Sequence, residues 1–411
     1  MPFLHSGMAF FISTFSILMK DLLKPEVQQF IKAHEKDDPV TLILKHKEVH
    51  GVSIKLIAAQ ITARQKAKTK LPEWYAAQSI IFPPTISMEQ CSSEITAKYK
   101  ASIISGNSVI DLTGGAGVDT YYLSKSFEKA TYIEQNEELA SITSDNLRSL
   151  GATNIVCKND KAENFLKHTS KVDVIYLDPA RRDEHAQRVF RFGDCEPNVT
   201  EILPDLMARA NTVLIKASPM LDIESSVQDL RFVQEIHIVS VENECKEVLY
   251  LLRQPEIDNP VIHTVNIRKN GERQRFSFHR SSEMNATAEY GLPDKFLYEP
   301  NSAILKAGAF KSIAQAYNIK KLHAHTHLYT SSAENTDFPG RRFRIIDVVP
   351  YNKKTVAAYL PGKKANVSAR NFPDEVQVIK KKLGLKDGGN LYLFAFTDKE
   401  ENKRIAITQR P

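Results

Sequence analysis

Cysteine is scarce in this 411-residue chain: Cys91, Cys157, Cys195 and Cys245 stand far apart, with no C-x-x-C pair. That scatter excludes a disulfide scaffold and a cysteine zinc site, and it fits a reducing cytoplasm. Long hydrophobic runs are missing too. The apolar run Met8–Leu18 is 11 residues long, well short of the ~20 needed to span a bilayer, so no membrane partner is expected. No Lys or Arg precedes it and no small-residue cleavage site follows, so it does not read as a signal peptide. Met19 is a candidate start, with residues 1–18 a weakly ordered extension. The chain also has no internal repeat and no low-complexity tract.

What is present is ordinary in total and uneven in distribution. Apolar residues make up 42% and charged residues 25%, which excludes disorder, collagen and coiled coil. The length implies two to four domains. Residues 1–260 hold 29 Lys+Arg against 35 Asp+Glu, whereas residues 261–411 hold 26 against 14. An acidic front joined to a basic rear points to a polyanionic partner, most simply nucleic acid; a well-solvated basic surface is the alternative.

Residues 24–104 read as helical. Pro25-Glu26 makes a first turn, Val27, Phe30 and Ile31 repeat at helical spacing, and Ser53 caps a helix that runs into Arg64, Lys66, Lys68 and Lys70. A further helix is expected over 88–104. From residue 107 short β-rich runs alternate with helices: 108–112, 130–134, 154–157, 172–177, 212–216, 233–239 and 248–252. Apolar strands separated by helices imply a parallel sheet covered on both faces. Only Glu242–Lys246 joins the last two runs, so that pair is expected to be antiparallel. Pro255 and Pro260 bracket a boundary. Beyond it, strands are expected at 261–267, 275–279, 322–330 and 341–349 with a helix over 302–317. A β-α-β-β module from Lys363 to Thr408 ends the chain.

The sharpest motif is Val109-Ile110-Asp111-Leu112-Thr113-Gly114-Gly115-Ala116-Gly117, between a strand and a helix, where glycines let a backbone approach a ligand closely. Glu134 ends the second strand, placed for ribose hydroxyls. Asn159-Asp160 ends the third, placed for an adenine amino group, and Asp178 ends the fourth. All lie at carboxyl ends of parallel strands, where open α/β sheets bind ligands. A dinucleotide dehydrogenase would instead show G-x-G-x-x-G, and here Thr120 follows Gly117 where that glycine is expected.

Across roughly residues 106–253 the series resembles the class I S-adenosylmethionine-dependent methyltransferases. The resemblance implies a Rossmann-like core with a mostly parallel seven-stranded sheet and an antiparallel last strand. It implies S-adenosylmethionine as cofactor, with Asp111, Thr113, Gly115, Gly117 and Asp119 framing the methionine end, Glu134 the ribose, Asp160 the adenine, and Asp178 beside them. Thr113 replaces the family's first glycine. Ile175-Tyr176-Leu177-Asp178-Pro179-Ala180-Arg181-Arg182 is similar to the D/N/S-P-P-Y/F/W/R loop of nucleic-acid methyltransferases. That similarity gives Asp178, Pro179 and Arg181 catalytic roles: Asp178 and the Pro179 carbonyl accept from a base amino group. Arg181 and Arg182 would stack on a base or grip phosphate. Glu89–Ala97 resembles the helix that caps the methionine end of the cofactor in cap trimethylguanosine synthase and its relatives.

The whole chain looks like a bacterial family of THUMP-like-domain methyltransferases, carried at the end by Asn366–Pro373, Lys380–Leu385 and Gly388-Gly389. This implies four segments: a helical region over 1–105, the methyltransferase domain over 106–256, a ferredoxin-like α+β module over 260–338 and a THUMP-like basic module over 339–411. THUMP modules are associated with RNA, in agreement with the charge split, so RNA (tRNA or rRNA) is the expected partner. Lys216, at the fifth strand's end, is a further substrate ligand or a simple charge balance. Of the 16 Lys+Arg in 341–411, Lys363 and Arg370 are expected to reach phosphate ahead of Lys380, Lys381 and Lys382. The rival functions are a small-molecule methyltransferase and an RNA-binding scaffold with a non-catalytic core. His323-x-His325-x-His327 would share one face of a strand, but no metal is expected. Cys195 has no basic partner in sequence and reads as an inert thiol.

Overall fold

The computed structural model describes residues 19–83, 85–181 and 191–411, with residues 85–87 and Arg181 described by backbone alone. The chain forms two compact units, one running to Val233 and including Tyr250–Glu256, the other Gln234–Leu249 with Ile257–Pro411. The expected extension over 1–18 lies outside the described residues, as does Arg182. Among the described residues no helix is long and apolar enough to cross a membrane.

The first unit opens with α1 (Pro25–Ala33), α2 (Pro39–Lys45) and α3 (Ile54–Lys70). Proline opens α1, where its missing N–H costs nothing, and Asp38 caps α2 by accepting from the Val40 and Thr41 amides. Ile54, Ile57, Ala58 and Ile61 are the buried stripe of α3. Its basic end is occupied: Lys66 pairs with Glu89, and the Lys70 ammonium lies 2.8 Å from both the Met88 and Glu89 carbonyls. The helix expected over 88–104 is two pieces, α5 (Thr85–Gln90) and α6 (Glu94–Ala101), after α4 (Pro72–Ala76). The break comes at Ser93, whose hydroxyl accepts from the Thr96 amide and starts α6 afresh.

The sheet of this unit contains β1 (Ser108–Asp111), β2 (Lys129–Glu134), β3 (Ile155–Asn159), β4 (Val172–Leu177) and β5 (Ala210–Ala217), all parallel, in the order β3-β2-β1-β4-β5. Helices α7 (Val118–Ser124), α8 (Glu137–Ser149), α9 (Ala162–His168) and α10 (Val199–Arg209) alternate with the strands. The last residues, Tyr250–Leu252, of strand β7 (Glu244–Leu252) also belong to this unit. Reversal of the chain after β3 places β1 at the centre, beside β4 at the switch point of an open α/β sheet.

In the second unit β6 (Val233–Val241) and β7 form the expected antiparallel hairpin. Its two turn residues, Glu242 and Asn243, have φ of 50° and 65°, as the hairpin turns that match strand twist require. Strand β8 (Val261–Ile267) pairs parallel with β6, and β9 (Arg273–His279) pairs antiparallel with β8. These two strands therefore extend the β6–β7 hairpin, although the sequence placed them in the ferredoxin-like segment.

A separate seven-stranded sheet contains β10 (Phe296–Pro300), β11 (Lys320–Lys321), β12 (Tyr329–Ser331), β13 (Gly340–Pro350), β14 (Asn366–Arg370), β15 (Leu391–Thr397) and β16 (Lys403–Gln409). Its order is β11-β12-β10-β13-β16-β15-β14. The β-α-β-β ending is β14, a helix over Val376–Leu383, β15 and β16. The helix expected over 302–317 is split into Ser302–Ala307 and Ser312–Ala316 because Gly308, at φ 70°, ends the first piece in the left-handed conformation. The strand expected over 322–330 is mostly loop, so its three histidines do not share a strand face.

Candidate active site

Each parallel strand of the first unit ends on a polar group. Asp111 is the last residue of β1, Glu134 of β2 and Asn159 of β3, with Asp160 next; Asp178 follows β4 and Lys216 lies one residue from the end of β5. The fold thus brings together Asp111, Thr113, Gly115, Gly117, Asp119, Glu134, Asp160, Asp178, Pro179 and Lys216 on the carboxyl side of one sheet.

The loop after β1 is tied from several directions. The Thr113 amide and the Thr120 hydroxyl donate to the two Asp111 oxygens, at 3.0 and 2.6 Å. Thr113 Oγ1 accepts from the Asp178 amide at 2.6 Å. A glycine at 113 could not make this link between the first loop and the β4 loop, which accounts for the departure from the family pattern. A side chain at Gly114 would meet the Tyr132 ring at 2.2 Å, and one at Gly117 (φ 76°) would meet Thr143 at 2.4 Å. Around Gly115 the nearest atom to such a side chain is 3.8 Å away. Gly114 and Gly117 are consumed by packing, whereas Gly115 is uncrowded and its φ of 53° accounts for the glycine. Glu134 accepts from the Gly115 and Asn136 amides at 2.9 and 2.8 Å, so it braces the same loop.

Asp119, on the first turn of α7, is held by Ser92 and Tyr176, which lie within the Glu89–Ala97 and Ile175–Arg182 segments, and by Lys100, which no motif identified. Ser92 and Tyr176 donate hydroxyls to its Oδ2 at 2.8 and 2.7 Å, and the Lys100 ammonium lies 3.2 Å from Oδ1. Burial would raise its carboxyl, but Lys100, Lys216 and the two hydroxyls outweigh it and hold Asp119 below the ordinary value. Lys100 is fully buried on α6, and its Nζ is also 3.1 Å from Ser92 Oγ. Among the described residues Asp111 has no such cation. Burial pushes it up to about 7, with the negative charges of Asp119 and Asp178 adding to the rise and the Thr120 and Thr113 hydrogen bonds opposing it.

Lys216 is ion-paired with Asp178 rather than presented to solvent. Directly after Pro179, Ala180–Arg181 pairs antiparallel with Cys195–Glu196. Cys195 is buried, consistent with an inert thiol. Arg181's side chain and Arg182 fall outside what the structure describes. In the second unit, Arg370 is bound to Glu299 at 2.6 Å, while Lys363 is exposed; of the two expected phosphate ligands only Lys363 faces solvent freely. His323 contacts Glu401 at 2.7 Å, and His327 stacks on Phe310 at 3.6 Å. Burial, with Lys321, His325 and Arg370 nearby, lowers His327 to about 4.

A switch-point sheet with acids at successive strand ends and a glycine turn after β1 defines the methyltransferase class of α/β fold. A crystal structure from Porphyromonas gingivalis W83, provisionally described as a methyltransferase, is 30% identical and superposes with a TM-score of 0.85 over 95% of this chain and 98% of that one. This chain belongs to that methyltransferase family. Residues 87–194 match the family called conserved hypothetical protein 95, residues 296–339 a ferredoxin-like domain and residues 340–411 a THUMP domain-like family. Partial likenesses include M. capricolum TrmK in complex with S-adenosyl-homocysteine (12% identity, 40% of this chain, 70% of that chain, TM-score 0.32). A Streptococcus thermophilus rRNA methylase is another (17%, 40%, 95%, 0.29). No curated protein sequence matches.

Proposed function

We propose that this chain is an S-adenosylmethionine-dependent methyltransferase whose acceptor is RNA, tRNA or rRNA, at a base amino nitrogen. The observation that carries the cofactor reading is the glycine turn after β1, uncrowded at Gly115 and flanked by carboxylates at the ends of β1, β2, β3 and β4. The donor set fits. Glu134 uses two acceptor positions on backbone amides, and an ionised carboxylate has about four, which leaves capacity for ribose hydroxyls. Asp160 lies beside it for the adenine. When bound, S-adenosylmethionine supplies a methyl group already activated by its sulfonium, so the protein's part is alignment more than acid–base help.

The chain's own residues supply that alignment. Lys216 fixes the Asp178 carboxylate, and Thr113 fixes the Asp178 backbone. Asp178 and the Pro179 carbonyl are thereby positioned to accept from an amino group. Lys216 is a positioning residue in this reading, and Arg181 and Arg182 keep their assignment to the base or its phosphate.

The acceptor reading rests on the basic rear and its THUMP-like match. Arg344, Lys363, Lys364 and Lys381 are exposed there, whereas Arg341, Arg342, Arg370, Lys380 and Lys382 are engaged with Glu299, Glu334, Asp387 or Asp374. The four-segment division, with 1–105, 106–256, 260–338 and 339–411 as its parts, and a cytoplasmic setting complete the proposal.

Calorimetry with S-adenosylmethionine is expected to show binding that Glu134→Ala weakens. Tight NADH binding with no response to S-adenosylmethionine would overturn the cofactor assignment. Mass spectrometry of RNA nucleosides from a deletion strain should lose one methylated species, and an unchanged profile sinks the RNA acceptor. Lys363→Ala with Lys364→Ala should flatten the salt dependence of RNA binding, because fewer counterions are released.

A further inference from the structure

A cluster of metal-ligating side chains lies in the second unit, and none of its residues belongs to a motif considered above. Strands β6 and β8 run parallel with His237 opposite His263, and β9 places Ser277 opposite His263. Glu235 precedes His237 by two residues, so strand alternation puts it on the same face. The two imidazoles stack with centroids 4.7 Å apart and planes at 27°. Both Nε2 atoms face one carboxylate oxygen: His237 at 3.2 Å and His263 at 3.5 Å from Glu235 Oε2. One ligand atom from each residue lies within 4.8 Å of the other two.

We infer that Glu235, His237 and His263 form a site for a divalent transition metal of the zinc type. Two imidazoles and one carboxylate are a recurrent zinc donor set with a fourth position left to water. The nitrogen donors argue against magnesium and calcium, which take oxygen ligands. A tetrahedral ion with bonds of about 2.0–2.2 Å separates its ligand atoms by about 3.3–3.5 Å. The two nitrogen–oxygen separations are already close to that spacing.

The surroundings are those of a built site. Ser277 Oγ is 2.8 Å from His263 Nδ1; this contact orients the ring and leaves Nε2 toward the cluster, the usual arrangement behind a metal-bound histidine. His237 is only 5% exposed, held rigidly by the sheet. Glu235 and His263 retain about a third of their side-chain exposure (30% and 31%), which gives an ion an entry path and room for its water. The ion would clamp β6 to β8 across a parallel pair. Sequence inspection could not find the site, because its ligands are an E-x-H on one strand and a single histidine 26 positions later, joined only by register.

The test uses the full chain, stripped with a chelator and dialysed, then titrated with zinc chloride by calorimetry at neutral pH. One equivalent is expected to bind at micromolar affinity or tighter. His263→Gln should weaken binding at least tenfold, and Ser277→Ala should weaken it by roughly tenfold through loss of ring orientation. Cobalt(II) should give a tetrahedral visible spectrum that His263→Gln abolishes. Circular dichroism confirms that each variant is folded. Failure to bind zinc stoichiometrically, or equal binding by folded wild type and His263→Gln, overturns the proposal and leaves the cluster as a hydrogen-bonded His–Glu–His group.

Discussion

Asp111 and Asp119 show how the same residue type takes opposite electrostatic roles within one loop. Both are buried, yet Asp119 has Lys100 against it and Asp111 has only hydroxyl and amide donors. An Asp whose value rises from 3.8 to about 7 on folding binds its proton more tightly in the folded state. Its contribution to stability is therefore complete below about pH 4 and is lost as pH rises through 7. Asp111→Asn removes that titration, and the Thr120 hydroxyl can turn to accept from the new amide. The melting temperature of Asp111→Asn relative to wild type is expected to climb between pH 5 and pH 8, followed by calorimetric scans at each pH; a constant difference contradicts the assignment. The strand-end acids were legible because their spacing follows the strand–helix rhythm. The hold of Ser92, Lys100 and Tyr176 on Asp119 was not, since only the folded chain brings them together.

At the level of elements, the segment Ile81–Phe82 has no strand beside it among the described residues, and two side-chain amides take a strand's place. Asn146 on α8 accepts from the Ile81 amide at 2.9 Å and donates to its carbonyl at 2.7 Å. Gln60 on α3 does the same for Phe82, at 3.0 and 2.7 Å. All four groups are buried, and a buried backbone group left without a partner costs about 1–3 kcal/mol. Asn146→Ala strands two, so a loss of about 2–6 kcal/mol is expected in urea unfolding; a change below about 1 kcal/mol would mean that water replaces the amide. Such clamps are invisible to pattern reading, as was β10, where the buried Glu299 and the terminal Pro300 interrupt the apolar signature of a strand. The long periodic α3 was read closely because its apolar stripe is local, although Ser53 makes no side-chain capping hydrogen bond.

For the molecule as a whole, sequence composition located the basic excess but not how much of it is spent internally. Glu299 is almost fully buried and receives both Arg341 and Arg370. This pair joins the ferredoxin-like match to the THUMP-like match, which also share one sheet through β10 and β13. Glu299→Gln leaves two guanidinium groups short of their charge partner and is expected to cost about 3 kcal/mol, by analogy with other broken buried pairs. Denaturant unfolding followed by tyrosine fluorescence would read it, and a neutral outcome would mean that the arginines relax to solvent. Removing 340–411 would also strip β13 from its partner β10, so RNA affinity is better probed by substitutions at exposed lysines. The Lys100–Asp119 contact has a comparable bearing on how such a protein can be inherited. A core cut at residue 106 would keep Asp119 in its buried place but leave behind the ammonium and hydroxyl that neutralise it. The segment that recombination could move intact therefore begins upstream of Ser92, and the helical front travels with the catalytic sheet as one heritable piece.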